Sequence, residues 1–187
     1  MISGPSGVGK GTLVRRVLRL VPDLEPSVSA TTRRARPGEV EGVDYFFVSD
    51  ARFDRMADAG ELLEWAEIYG HRSGTPAAFV ADMRERGRDV LLEIDVQGAG
   101  WVRKREPHAV LVFVSPPSLE ELQRRLRGRA TEDERVLARR LEKAGWEMEQ
   151  AAWFDHVVVN DDADRAAEEV AAIIRASRHP TEGSTHP

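Results

Sequence analysis

The nine residues Gly4–Thr12, GPSGVGKGT, decide the reading of this chain. Glycines at 4, 7 and 9, with Pro5, Ser6 and Val8 between them, run into Lys10, and Leu13, Val17 and Leu20 follow at helical spacing. A strand, this loop and a helix form a phosphate-binding unit. The glycines let backbone N–H groups converge on phosphate oxygens, the helix N-terminus adds partial positive charge, and Lys10 reaches the outer phosphates. The plain alternative is a glycine-rich turn without a ligand; the lysine and the strand-to-helix context favour the phosphate. One position departs from G-x-x-x-x-G-K-[ST]. Gly11 stands where that pattern puts the hydroxyl that holds magnesium. Thr12, one residue on, could offer its hydroxyl instead. Mg2+ keeps several waters and draws on substrate phosphates, so a site filled by two nucleotides tolerates the glycine. Transfer between bound nucleotides suits this loop better than mechanical hydrolysis does.

The rest of the composition narrows the class. At 187 residues, 41% hydrophobic and 32% charged, the chain fits one compact domain with inserts. A formal charge of −5 argues against broad binding to nucleic acid or anionic membrane. There is no cysteine, hence no disulfide and no thiolate metal site. No apolar run approaches the ~20 residues that span a bilayer, and the glycine loop arrives before any secretion-signal core could form. A cytoplasmic enzyme or binding module is expected. The histidines show no metal-ligand spacing.

Three short apolar runs, VLLEID (90–95), AVLVFV (109–114) and HVVVN (156–160), read as buried strands of a parallel sheet with crossover helices. SVSA (27–30) is a candidate fourth, and Met1–Ser3 the end of the first. That end is shorter than the ~5–6 residues of a usual strand; the expectation is that residues restored upstream would raise the melting temperature. Ser118 and Glu121 form a capping box, as do Thr131 and Glu134 before a stripe of Leu137, Leu141, Ala144 and Met148. A last amphipathic helix runs from about 164 to 178, burying Val170, Ile173 and Ile174, and 179–187 reads as a disordered tail. Between Thr32 and Met83, YFFV, ELLEWAEI and HRSGT are strand-like pieces between turns, a small β-rich insertion on the α/β scaffold.

The insertion opens with TTRRARPGEVEGVDYFFV (31–48). Arg33, Arg36 and Tyr45 would grip a phosphate monoester through two guanidinium forks and a phenol; a solvated loop with scattered arginines is the alternative. Taken with the phosphate loop, this segment resembles the guanylate kinase signature. SVSATTR, DYFFVS, LLEWAE, LEIDVQG, VSPPSLEELQRRLRGR and VVVND resemble that family's blocks, in order and over nearly the whole chain.

The resemblance implies an acceptor site whose phosphate contacts are Arg33, Arg36 and Tyr45 and whose base reader is Glu64. A carboxylate accepts from guanine N1–H and N2–H2 together, and adenine offers no such donor pair. Taken alone, Glu64 would read as a surface strand carboxylate beside a buried Trp65. The resemblance also places Ser29 and Thr75 near guanine, Asp95 between the two nucleotide sites and Asn160 near the donor adenine. It implies a lid that brings Arg125, Arg129 and Arg140 over the donor phosphates; the first two, four apart, share a helix face. Solvated basic faces are the alternative for some of these arginines. One position departs. The family commonly has a tyrosine where this chain has Ser73, so the shorter hydroxyl would reach through a water, or Arg72 or His71 would compensate.

These readings give a P-loop α/β fold with a central parallel sheet, a β-rich acceptor insertion and a helical lid. The core would be 1–31, 84–123 and 147–187, the GMP-binding part 32–83 and the lid 124–146. The expected reaction is ATP with GMP or dGMP to ADP with GDP or dGDP, Mg2+ bridging the donor phosphates. Two rivals remain: a sugar-phosphate kinase on the same scaffold, which has no use for a purine reader, and an inactive phosphopeptide-binding module, which would have no need of Lys10.

Overall fold

A computed structural model describes residues 1–68, 70–128 and 134–178. Its core is a parallel sheet built from β1 (Ile2–Ser3), β2 (Leu24–Pro26), β7 (Asp89–Leu91), β8 (Val112–Ser115) and β9 (His156–Val159). β1 pairs with β8 and β8 with β9, all parallel, while β2 pairs with β7. The chain leaving β7 joins the two groups. Ile2 N–H donates to Leu92 at 2.8 Å and Ile94 N–H to Ile2 at 3.2 Å, so β1 lies centrally.

In β8, where all four residues are buried, the apolar run is continuous because both faces are covered. β9 departs from the buried strand expected of HVVVN, since only Val158 is buried while Val157 and Val159 are exposed. Around β8 the alternation is plain: Val112 and Val114 join one core cluster, Leu111 and Phe113 the other. On the first face α1 (Lys10–Leu20) packs against α7 (Ala163–Arg178), burying Leu13, Val14 and Val17 against Ala166, Ala167, Val170 and Ala171. Each fully buried Leu or Val side chain there contributes about 1.5–3 kcal/mol. Pro22 biases Val21 out of helical geometry, and α1 ends there with Val21 extended. The second face is covered by α4 (Val96–Arg105), through Val96, Ala99 and Val102, and by α3 (Ala77–Glu85), through Val80.

The insertion forms a second, four-stranded sheet in the order β4 (Tyr45–Phe47), β3 (Ser29–Thr31), β6 (His71–Pro76), β5 (Leu62–Ile68). β3 and β4 are parallel; β6 is antiparallel to β3 and β5. The strand expected from SVSA (27–30) forms as Ser29–Thr31, but it belongs to the insertion's sheet; the core strand of this region is Leu24–Pro26, just upstream. The edge strand of the core is built from Leu24, Glu25 and Pro26, whose mixed character conceals it in the sequence. α2 (Asp50–Asp58), capped by the Ser49 hydroxyl accepting from Arg52 N–H, closes this sheet with Phe53 and Met56 against Ala30 and Leu62.

α5 (Leu119–Gly128) begins at the expected cap, Glu121 N–H donating to Ser118 Oγ at 3.2 Å. α6 spans Glu134–Glu149. Thr131 of the second expected capping box and the tail lie outside the described residues, and the Glu134 and Leu137 side chains are not described. Among the described residues no helix is long and apolar enough to cross a membrane.

Candidate active site

The loop leaving β1 turns on glycines with positive φ. At Gly4 (φ 143°) a Cβ would lie 2.2 Å from the Val114 carbonyl oxygen, so no other residue fits beside β8. Gly9 (φ 102°) opens α1, with no side-chain cap on the helix and no acidic residue of its own in the first turn. The N-terminal amides are thereby left for an anion. Lys10 folds back over the loop, its ammonium donating to the carbonyls of Gly4 at 2.6 Å and Pro5 at 3.2 Å. Burial pushes the Lys10 pKa down, and nearby Glu93, Glu147 and Asp95 pull against that shift. At Gly11 a Cβ would meet only the Glu93 carboxylate, at ordinary contact distances of 3.6 and 3.7 Å. The glycine there is not demanded by space.

Lys10 opens onto a cleft of about 770 Å³, and Ser29, Arg36, Tyr45, Glu64, Ser73 and Asp95 line its other walls. The β5–β6 register sets Glu64 opposite Thr75, and the Thr75 hydroxyl donates to Glu64 Oε1 at 2.7 Å. A register shift between Leu62 and Glu64 breaks the strand's alternation. It reverses the expected surface pattern: Glu64 is 4% exposed while Trp65 is 38% exposed, its ring edge-on to Phe53. Burial pushes Glu64 up to about 7, against the Thr75 hydrogen bond and with help from the Asp95 charge.

Asp95 caps α4, its Oδ1 accepting from Gly98 N–H at 2.9 Å. Its Oδ2 is buried without a hydrogen bond, 3.5 Å from the Lys143 ammonium, which also lies 3.7 Å from buried Glu147. Arg33 lies behind the cleft wall. Its fork holds Glu39 through two 2.9 Å bonds, and its guanidinium stands 5.2 Å from the Tyr45 ring centre. Glu39 also accepts from Arg36 N–H at 2.7 Å, tying this loop together.

A smaller cleft of about 370 Å³ lies beside the loop, lined by Gly7–Gly9, Thr12, Arg125, Asn160, Asp161 and Ala163. Arg125 spans it, donating to the carbonyls of Val8 at 3.1 Å and Asn160 at 3.0 Å while Glu121 holds its Nε at 2.8 Å. The Asn160 amide donates to Val8 at 2.8 Å, bracing the loop from below.

A family model described as "Guanylate kinase" matches residues 1–177. A guanylate kinase of Nocardia farcinica is 54% identical over 175 residues, covering 92% of this chain and 91% of that protein. One from Chromobacterium violaceum is 49% identical over 178 residues, covering 95% and 85%. The crystal structure of guanylate kinase from Anaplasma phagocytophilum superposes with a TM-score of 0.80 at 35% identity, covering 97% of this chain and 87% of that one. This chain belongs to the guanylate kinase family.

Against that membership, the structure gathers Lys10, Ser29, Arg36, Tyr45, Glu64, Ser73 and Asp95 on one cleft, with Thr75 and Arg33 one layer behind. Arg140 lies on α6 a turn before Lys143 and outside both cleft walls. Arg129 lies outside the described residues. Arg72 does not stand in for the family tyrosine: it pairs with Asp50 and Asp54 of α2, over Phe53. His71 is exposed and does not line the cleft either. Sequence reasoning missed Glu93, Lys143 and Glu147, which line the cleft with Lys10. Two signals point to them: Glu93 sits two residues before Asp95 in the extended chain leaving β7, and Lys143 and Glu147 are one helical turn apart.

Proposed function

We propose that this chain transfers the γ-phosphoryl group of ATP to GMP, or dGMP, giving ADP and GDP or dGDP. The observation that carries the reading is the facing arrangement: the Lys10 loop and the Glu64 carboxylate, held from behind by Thr75, open onto one cleft. Loop amides and the α1 N-terminus hold the donor phosphates, and Lys10 exchanges its carbonyl partners for them. Ionised Glu64 accepts from guanine N1–H and N2–H2, with Ser29 and Thr75 hydroxyls nearby. Arg36 and Tyr45 take the acceptor phosphate, and Arg33 supports Tyr45 from behind. Ser73 contributes its hydroxyl where the family commonly has tyrosine.

Asp95, at the carboxyl end of a parallel strand, stands where the two nucleotides meet. When the lid closes, Arg125 and Arg140 bring positive charge toward the transferring group, Arg140 from outside the open cleft, and Arg129 is assigned the same part from the family resemblance; Asn160 braces the loop on the donor side. Phosphoryl transfer rests on positioning and charge neutralisation, and needs no covalent intermediate. The oxygen donors suit a hard cation: Thr12 and Glu93 flank the loop, and no three or more ligating side chains converge among the described residues. Bound Mg2+ would therefore take most of its oxygens from phosphates and water and offset their charge.

We divide the chain into a core (1–31, 84–123, 147–187), a GMP-binding part (32–83, its sheet completed by Ser29–Thr31 of β3) and a lid (124–146), the latter two swinging inward to exclude water. Coupled measurement of ADP release with GMP, AMP and ribose 5-phosphate tests the reading. GMP should be strongly preferred. Equal turnover of the ribose phosphate, or stabilisation by a phosphopeptide but not by ATP, would overturn it.

A further inference from the structure

We infer that Gly98 is a specificity-determining position of the acceptor pocket: its bare Cα seats the Glu64 carboxylate, and any side chain there would push that carboxylate off the guanine edge. The inference rests on the reading of Glu64 as base reader. Gly98 is the third residue of α4, inside its first turn. A Cβ built on it would lie 2.3 Å from Glu64 Oε2 and 3.2 Å from Glu64 Cδ, far inside contact distance. The same Cβ would stand 3.5 Å from Asp95 Oδ1, which accepts the Gly98 amide.

The backbone gives no other reason for glycine. Gly98 does not appear among the glycines of positive φ, and within a helix glycine costs about 1 kcal/mol relative to alanine. Clearance for the carboxylate is what the missing side chain provides. Gly100, two residues on in the same helix, has nothing within 4 Å of its would-be Cβ. It is the natural control for helix propensity.

The carboxylate is held on two sides. Thr75 donates to Oε1, while Oε2 rests on the first turn of α4, where helix amides carry partial positive charge. A methyl group at 98 closes the second seat. Because the displaced atoms end a flexible side chain, the fold survives while the reader swings away. Displacement toward solvent would also bring Glu64 down toward the ordinary carboxylate range.

The test compares steady-state kcat and KM for GMP and for IMP, which lacks the 2-amino group, across the full-length wild type and five variants. Gly98→Ala should raise the KM for GMP roughly 10- to 100-fold, the cost of leaving hydrogen-bonding groups unpaired. Its preference for GMP over IMP should collapse to that of Glu64→Ala, with kcat at saturating GMP changed far less than KM. Gly98→Ala combined with Glu64→Ala should be no worse than Glu64→Ala alone. Combined with Glu64→Asp, whose shorter arm clears the methyl group, it should regain preference. Gly100→Ala should behave as wild type. An unchanged preference in Gly98→Ala, or an equal loss from Gly98→Ala in the Glu64→Ala background, would overturn the inference while leaving the base reader in place. If Glu64→Ala itself kept the wild-type preference, both the base reader and the inference would fail; absent GMP turnover in the wild type would sink the functional reading first.

Discussion

The two walls of the cleft are made in opposite ways. The donor wall comes from one stretch of chain, Gly4–Thr12, whose shape is imposed by neighbours that leave no room for a Cβ at Gly4. The acceptor wall is assembled from β3, β5, β6 and the start of α4, and it centres on one buried carboxylate held by a hydroxyl and a bare Cα. The difference teaches where each wall is vulnerable. A contiguous loop fails through its own residues, whereas an assembled pocket fails through residues that never touch the ligand.

The contrast would be sharpened most by Lys10→Ala. Loss of the buried ammonium should lower kcat by about 10³-fold or more while the melting temperature moves little. Thr75→Val attacks the other wall. It removes the donor to Glu64 and should raise the KM for GMP about tenfold, leaving the KM for ATP unchanged; an equal rise in both would mean the walls are not separable.

Glu64 also couples the acceptor wall to pH. Its folded pKa, about 7, lies above the unfolded value of 4.5. The folded state therefore binds more protons between those values, and stability falls as pH rises through that window, by roughly 3 kcal/mol once both are crossed. Two outcomes follow. Glu64→Gln should raise the melting temperature more at about pH 8 than at about pH 5, and wild-type KM for GMP should fall across neutrality as the carboxylate ionises. Flat profiles in the wild type would break the assignment. The smallest effect belongs to Arg72→Ala, which frees α2 from an exposed ion-pair cluster and should cost about 1 kcal/mol or less by thermal denaturation.

The donor wall was legible in the sequence because its chemistry is local: glycines, lysine and a helix start in fixed order. The acceptor wall was legible through ordered family blocks, since nothing local distinguishes Glu64 from a surface carboxylate. The register shift before Glu64, which buries it and exposes Trp65, depends on β5 pairing with β6 and has no short-range signature. Glu93, Lys143 and Glu147 escaped because their place on the cleft is set by how the chain leaving β7 and α6 lie around Lys10, a long-range arrangement. Gly98 was visible as a letter within LEIDVQG, but its purpose appears only when Glu64 lands beside it.

The most direct test joins the two walls in one ligand. Adenosine and guanosine linked through five phosphates should inhibit competitively against both ATP and GMP, and bind more tightly than either. Competition against only one nucleotide, with the other still binding freely, would contradict the single shared cleft.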